Sequence, residues 1–293
     1  MLKVIIDFDG TLTAEETQVS TLAERSLDTL ATEMEVASRD QLCVDYANTQ
    51  EQILREPHLY RWEVNGLVAS YATEGAFILN TSTLQVMLSE SEVYSRRVSE
   101  VFARAEYDPI TDCTNHLFHR HTAGIEPVFR EGAHDVLSAL IQHIDRQPII
   151  LTNSLGDKVS RHISMLDLPV KIPILGDTRQ YAMSPDWDHR FDHPGLGPVQ
   201  VWPISDRYRV DLRRPEYYRA LKRVSSDGSA LAVVADTFSL PGAVALMMGI
   251  PFFLLRTSYT PEWCIQATAK HPLGCVLDNL AHLEPALDRL NTA

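Results

Sequence analysis

The sequence predicts an α/β protein with a doubly wound, mainly parallel sheet and an all-helical domain inserted after the first strand. Three observations support this fold class. The apolar run at residues 2–6 has the composition of a strand that is buried on both faces. A long region with helical spacing follows at residues 14–124, and strand and helix patterns then alternate along the rest of the chain. The 293 residues are enough for one or two domains.

The first strand ends in acidic residues. The run LKVII is followed by Asp7 and Asp9, by Gly10 for a tight turn, and by the hydroxyls of Thr11 and Thr13. Open α/β sheets bind their ligands beyond the carboxyl ends of the strands. Two carboxylates this close repel each other unless one is protonated or a cation lies between them. A divalent metal would supply that cation.

The region after this strand has few turn signals. Residues 17–36 place several apolar side chains near one helical face, and Ser38 is a suitable N-cap for the next segment. A further helix is expected from about residue 80 to residue 106, after a mixed aromatic stretch at residues 58–75. We therefore expect residues 14–124 to form one all-helical domain.

Two later strands also end in polar residues. The run PIIL at residues 148–151 precedes Thr152 and Asn153, and the run ALAVVA precedes Asp236. In a doubly wound sheet, the strand ends at Asp7, Thr152 and Asp236 converge on one crevice.

The remaining pattern assigns residues 1–13 and 125–293 to the sheet domain. Residues 170–175 are expected to form a third strand, and IPFFLL at residues 250–255 the last strand of the sheet. Residues 176–212 are dense in Pro, Gly and Asp before two alternating runs, which predicts a small hairpin insertion.

Composition restricts the function classes. A net charge of −13 argues against a general surface for nucleic acid or anionic membranes. The four cysteines form no C-x-x-C pair, which favours reduced thiols over a zinc site or a disulfide framework. The first apolar run is short and interrupted by acids, and no stretch has the roughly 18 apolar residues of a membrane span. We expect a cytoplasmic protein, and the sequence leaves open whether it forms a homo-oligomer.

The segment DFDGTLT, residues 7–13, resembles the nucleophile motif of the haloacid dehalogenase superfamily, most of whose members are magnesium-dependent phosphatases. The resemblance implies a Rossmann-like catalytic core, and residues 14–124 would be the helical cap of the subfamily that inserts it after the first motif. It also implies an aspartyl-phosphate mechanism, in which Asp7 attacks the phosphorus and Asp9 shuttles the proton. A small phosphorylated metabolite would be the substrate.

Two further motifs resemble those of the superfamily. ILTNS, residues 150–154, resembles the second motif, so that Thr152 and Asn153 would bind the transferred phosphoryl group. Asp236 resembles the first acid of the metal-binding motif, so that Mg²⁺ would be held by Asp7, the backbone carbonyl of Asp9, and Asp236.

The metal-binding motif departs from the family pattern. The family usually has a second acid four or five residues after the first, where this chain has Leu240 and Pro241. This departure puts the metal affinity in doubt more than the reaction type. Thr237 or Ser239 could orient a metal-bound water.

The family also uses a basic residue that pairs with the nucleophile and the phosphate. DLRRPEYYRAL resembles the passage that carries it, and we prefer Arg214, followed by Arg213, with Lys222 and Lys158 as less favoured choices. Arg can bind phosphate in bidentate fashion.

The insertion contains the weaker candidates for substrate specificity, which are Arg61, Trp62, Asn65 and Tyr71; the alternative is that they only fill the core of the insertion. A phosphomutase and a non-catalytic binding or regulatory protein remain alternative functions. A carbon–halogen hydrolase is disfavoured because it needs neither a leaving-group acid nor a metal, so Asp9 and Asp236 would have no use.

Overall fold

A parallel sheet lies at the centre of the chain. The computed structural model describes residues 1–104 and 106–290. Its strands are β1 (Leu2–Ile6), β2 (Arg61–Val64), β3 (Leu67–Tyr71), β4 (Arg146–Leu151), β5 (Ile174–Leu175), β6 (Phe191–His193), β7 (Gly197–Val199), β8 (Val201–Pro203), β9 (Arg209–Asp211), β10 (Ala230–Ala235), β11 (Phe252–Leu255) and β12 (Gly274–Leu277). Within the described residues, the main sheet has the order β12-β11-β10-β1-β4-β5, and all its pairs are parallel.

Helices cover both faces of this sheet. The helices are α1 (Val19–Thr32), α2 (Arg39–Arg55), α3 (Ala76–Glu90), α4 (Glu92–Val101), α5 (Pro109–Thr122), α6 (Ala133–Gln142), α7 (Gly156–Ile163), α8 (Pro215–Val224), α9 (Ala243–Met247), α10 (Glu262–Lys270) and α11 (Leu283–Leu290), of which α6 to α11 pack on the sheet. Successive strand residues point to opposite faces of the sheet and enter two different cores. Ile5 and Val233 pack with α8, α9 and α10, whereas Ile6 and Val234 pack with α6, α7 and α11. The predicted doubly wound α/β fold is confirmed. None of the helices in the described ranges combines the length and apolarity that a membrane span needs.

The strand register brings the polar strand ends together. Ile6 pairs with Val234 of β10 on one side and with Ile150 of β4 on the other. The three strands therefore end almost level at the centre of the sheet. As a result, the residues that follow them share one edge, as the sequence predicted.

The insertion differs from the expected all-helical domain by one β hairpin. Helices α1 to α5 share a separate apolar core, and Ser38 caps α2 by accepting a hydrogen bond from the Gln41 N–H. Strands β2 and β3 are joined by Asn65 and Gly66, both at positive φ. An Asn-Gly pair between alternating strands is a strong hairpin signal, so the sequence contained this information. The division of the chain at residues 13 and 125 remains a proposal.

Two further differences concern the sheet domain. The segment 176–212 contains two hairpins, β6–β7 and β8–β9, instead of one. The expected last strand, β11, is followed by the edge strand β12, which pairs with it. The apolar run of β12 is only four residues long and begins with Gly274, so it gives a weak strand signal.

Candidate active site

Acidic residues at the ends of β1 and β10 form the base of a pocket. The Asp7 N–H donates to the Val234 carbonyl oxygen at 3.0 Å, which extends the β1–β10 pairing. Thr11 links the two strand ends, because its Oγ1 accepts from the Asp236 N–H at 3.0 Å and lies 3.3 Å from Asp236 Oδ1. The pocket is lined by Asp7, Asp9, Glu15, Trp62, Phe77, Ile78, Thr81, Asn115, Phe118, His119, Thr152, Asn153, Tyr181, Asp236, Thr237 and Leu240.

Gly10 allows this close approach of the two strand ends. Its φ of +77° is in the left-handed region, which disfavours a side chain. A Cβ at this position would also lie 2.2 Å from Asp236 Oδ2. The turn after β1 therefore requires glycine for two independent reasons.

The acids raise one another's pKa values. Burial raises the pKa of Asp7 well above its usual range, and the nearby Asp9 charge raises it further. Burial and then the Asp7 charge raise the pKa of Asp236, while burial and then the Asp236 charge raise that of Glu15. A cluster of this kind favours the binding of a cation.

Lys158 is a basic residue next to Asp9. It extends from α7, and its Nζ lies 3.5 Å from Asp9 Oδ1 and donates to Ser154 Oγ at 3.0 Å. Ser154 Oγ in turn donates to Asp9 Oδ2 at 2.5 Å. The Asp9 carboxylate is thus held from both oxygens. Lys158 was a less favoured choice from the sequence, although it follows Ser154 by one helical turn.

Arg214 does not lie with the acids, which corrects its prediction as a phosphate-binding residue. It is 0% exposed. Its guanidinium donates to three backbone carbonyls, those of Asp211 (3.2 Å), Gln180 (3.0 Å) and Ala69. These bonds make Arg214 a structural residue. Arg213 pairs with the Asp211 carboxylate at 2.5 Å, and Lys222 is exposed, so neither lines the pocket.

Thr152 and Asn153 both lie in the pocket. The buried Thr152 side chain hydrogen-bonds to the Asp7 carboxylate, and its Oγ1 accepts from the Ser154 N–H at 3.2 Å. Asn153 Oδ1 accepts from the Gln180 N–H at 2.7 Å. The end of β4 therefore faces the acids as the sequence predicted; the binding of phosphate by these residues remains a proposal.

Of the four specificity candidates, only Trp62 lines the pocket. Tyr71 is buried, and its hydroxyl accepts from the Arg209 N–H at 3.0 Å. Asn65 occupies the hairpin turn and donates from Nδ2 to the Met183 carbonyl at 3.2 Å. Arg61 lies 4.0 Å from Glu63. These contacts correct the prediction for Arg61, Asn65 and Tyr71, which support the hairpin instead.

Sequence reasoning missed Glu15 and Arg130. Glu15 lies in the pocket, and its Oε1 accepts from the Phe77 N–H at 3.2 Å, at the start of α3. Arg130 donates from Nη2 to the Gly10 carbonyl at 2.7 Å and from Nη1 to Glu16 at 3.0 Å, which braces the turn after β1. The sequence signal for Glu15 was the acidic pair Glu15 and Glu16, which follows DFDGTLT after Ala14.

The two hydroxyls after Asp236 have different environments. Ser239 Oγ donates to Glu74 Oε1 at 2.6 Å, and the Ser239 N–H donates to Glu74 Oε2 at 2.8 Å. Thr237 Oγ1 is buried in the pocket, without a hydrogen-bond partner in the described part of the chain. Thr237, and not Ser239, is therefore free to contact a ligand or a water.

The donor set fits a weakly held oxygen-ligated metal. No group of three or more His, Cys, Asp or Glu side chains in residues 1–104 and 106–290 is arranged to hold a metal ion. The pocket nevertheless brings together the carboxylates of Asp7 and Asp236, whose raised pKa values favour a cation. Carboxylate and carbonyl oxygens with several waters are what Mg²⁺ prefers.

Comparisons with known proteins bear on the fold. No family model matches the chain, and no curated protein matches its sequence. Among solved structures, one described as a predicted phosphatase from Clostridium acetobutylicum superposes with a TM-score of 0.51 and 11% identity, over 98% of each chain. A HAD-superfamily hydrolase of subfamily IA from Geobacter sulfurreducens has a TM-score of 0.46 and 16% identity, over 98% of this chain and 96% of its own. The chain shares its overall fold with the Clostridium acetobutylicum protein.

A 2-haloacid dehalogenase from Pseudomonas syringae is also similar, with a TM-score of 0.46 and 13% identity over 99% of both chains. At 11–16% identity, structural likeness bears on the fold alone and not on the reaction. The reaction has to be argued from the side chains.

Proposed function

We propose that this protein is a Mg²⁺-dependent phosphatase that hydrolyses a small phosphomonoester through an aspartyl-phosphate intermediate. One observation carries the proposal: Asp7 and Asp9 follow the central strand, both line the pocket, and Ser154 and Lys158 hold the second acid. A carbon–halogen hydrolase would have no need for that second acid.

Asp7 is the nucleophile in this mechanism. Its carboxylate oxygen attacks the phosphorus, the ester P–O bond breaks, and Asp9 transfers its proton to the departing alcohol oxygen. Asp9 then takes a proton from the water that attacks the phosphorus and releases phosphate, which restores both acids. The bonds from Ser154 and Lys158 keep Asp9 in one orientation through both steps.

The phosphoryl group needs donors on its non-bridging oxygens. The Thr152 hydroxyl, the Asn153 side chain and the Lys158 ammonium are the candidates around the acids. Most of the catalytic effect in phosphoryl transfer comes from such positioning and charge stabilisation.

Asp7, Asp236 and the Asp9 backbone carbonyl would hold the Mg²⁺ ion, and Thr237 is an unpaired hydroxyl in the same pocket. When bound, the ion would neutralise negative charge on the nucleophile and the phosphoryl oxygens. The acids need a cation because burial and mutual repulsion disfavour their charged forms. We further propose that the substrate is a small metabolite rather than a nucleic acid or a membrane.

The proposal is tested by the release of inorganic phosphate from a panel of phosphometabolites. We expect release with Mg²⁺, loss in excess chelator, and loss in Asp7→Asn. Asp135→Asn is a matched control because the Asp135 carboxylate is 88% exposed on α6. Undiminished turnover with chelator or in Asp7→Asn would contradict the mechanism. An isomerised ester without released phosphate would indicate the alternative, a phosphomutase.

A further inference from the structure

The part of the pocket contributed by the insertion and by Tyr181 is aromatic. Trp62 on β2 packs against Tyr181 with ring centroids 5.2 Å apart. Phe77 at the start of α3 meets Phe118 of α5 edge to face at 5.6 Å. All four rings line the same pocket as the acids, which has a cavity volume of about 80 Å³ and opens to solvent. A pocket of this kind suits a flat apolar group.

The pocket lacks a partner for a second anion. No Lys or Arg is among the described residues that line it, whereas four carboxylates are. Lys158 lies 5.8 Å from the Phe118 ring centroid but already contacts Asp9. Burial lowers the pKa of His119, which keeps this pocket residue uncharged at neutral pH. A substrate with a carboxylate or a second phosphate would therefore meet repulsion without compensation.

The indole N–H of Trp62 is a donor in the pocket that has no acceptor among the described residues. Trp62 is 7% exposed, and its indole Nε1–H makes no hydrogen bond within the described residues. Buried donors are rarely left unpaired in folded proteins. Because Trp62 lines the pocket, a ligand is the natural source of the missing acceptor.

From these observations, we infer that the pocket selects phosphomonoesters whose alcohol part is neutral and aromatic and carries a hydrogen-bond acceptor for Trp62 Nε1. This inference rests on the proposed phosphatase function, since it concerns the same site. It assigns Trp62 as a specificity residue and the four-ring wall as the binding surface for the leaving group.

Binding is measured by calorimetry on the Asp7→Asn variant with Mg²⁺, so that no probe is consumed. The probes are benzyl phosphate, the three ring isomers of methoxybenzyl phosphate, and 2-phosphoglycolate. We expect benzyl phosphate to bind about tenfold more tightly than 2-phosphoglycolate. Equal or tighter binding of 2-phosphoglycolate would overturn the inference.

The role of Trp62 is tested by Trp62→Phe, which keeps an aromatic ring and removes only the N–H donor. We expect the tightest methoxybenzyl isomer to lose about fivefold in affinity and benzyl phosphate to change little. Trp187→Phe is the matched control, since Trp187 lies outside the pocket. An equal loss for all esters, or no loss for any, would contradict the donor role.

The two proposals fail in distinguishable ways. Wild-type protein that releases no phosphate but keeps the binding preference contradicts the catalytic proposal alone. Phosphate release with a preference for 2-phosphoglycolate contradicts the specificity inference alone.

Discussion

Lys158→Met removes the ammonium group that lies beside Asp9. Met keeps much of the length and apolar volume of the Lys side chain. The packing of this α7 side chain against its neighbours should therefore be retained. The side chains of Lys158 and Asp9 are 8% and 18% exposed, so solvent screens their interaction only in part. The substitution therefore tests charge rather than shape.

The size of the effect follows from the separation of the two charges. At the observed 3.5 Å and an effective dielectric constant of about 20, the gross attraction is about 4–5 kcal/mol. Ser154 retains its bond to Asp9, so the carboxylate keeps one of its two side-chain partners. Removal of one preorganised charge-stabilising group from an active site typically costs about 10²–10³-fold in kcat. We expect Lys158→Met to lose activity in this range.

The assay is steady-state phosphate release at saturating Mg²⁺, with thermal unfolding recorded in parallel. Lys222→Met is the control for a lost surface lysine, because Lys222 is exposed. A kcat for Lys158→Met within about threefold of wild type would refute the role of the Lys158 ammonium.

Arg214→Met should lower the free energy of unfolding by about 3 kcal/mol or more, because its carbonyl partners lose their donors.

Two further predictions concern stability. Gly10→Ala should lower the free energy of unfolding, measured in urea titrations, by about 2 kcal/mol. The control Gly195→Ala should cost less, because Gly195 also has a positive φ but no atom lies within 4 Å of its added Cβ. Equal losses would contradict the close contact between position 10 and Asp236. Burial, followed by the Lys158 charge, lowers the pKa of His162 below its usual 6.5. At this residue the folded chain therefore binds fewer protons than the unfolded chain as the pH falls from about 7 to about 5, so the contribution of His162 to stability should decrease. This decrease should be smaller in His162→Phe, and an unchanged slope would show that His162 does not cause it.

The sheet and its acidic edge were predictable because they depend on local pattern. Apolar strands that end in Asp7, Thr152 and Asp236 can be found by inspection, and the parallel pairing then brings the strand ends together. The hairpin was also present in the sequence, as Asn65 and Gly66 between alternating strands.

The basic residue could not be chosen from its neighbours in sequence. Arg214 occupies the expected position in the sequence, but its guanidinium donates to the carbonyl of Ala69, which is 145 residues away in the chain. Lys158 could be chosen only once the position of α7 was known, because this helix places its ammonium next to Asp9. Trp62 enters the pocket at an irregularity between Trp62 and Glu63 in the β2–β3 register, which alternation alone does not predict.

The contacts of Arg214 and Glu74 also determine what the core requires from the insertion. Arg214 donates to the Ala69 carbonyl of β3, and Glu74 accepts from the backbone and hydroxyl of Ser239. Excision of residues 14–124 would strip acceptors from a guanidinium in the apolar interior and from the loop after Asp236. A shortened core would therefore lose stability at positions 214 and 239, where buried donors would lack these acceptors. Substitutions at these two positions and changes in the insertion should have non-additive effects on stability.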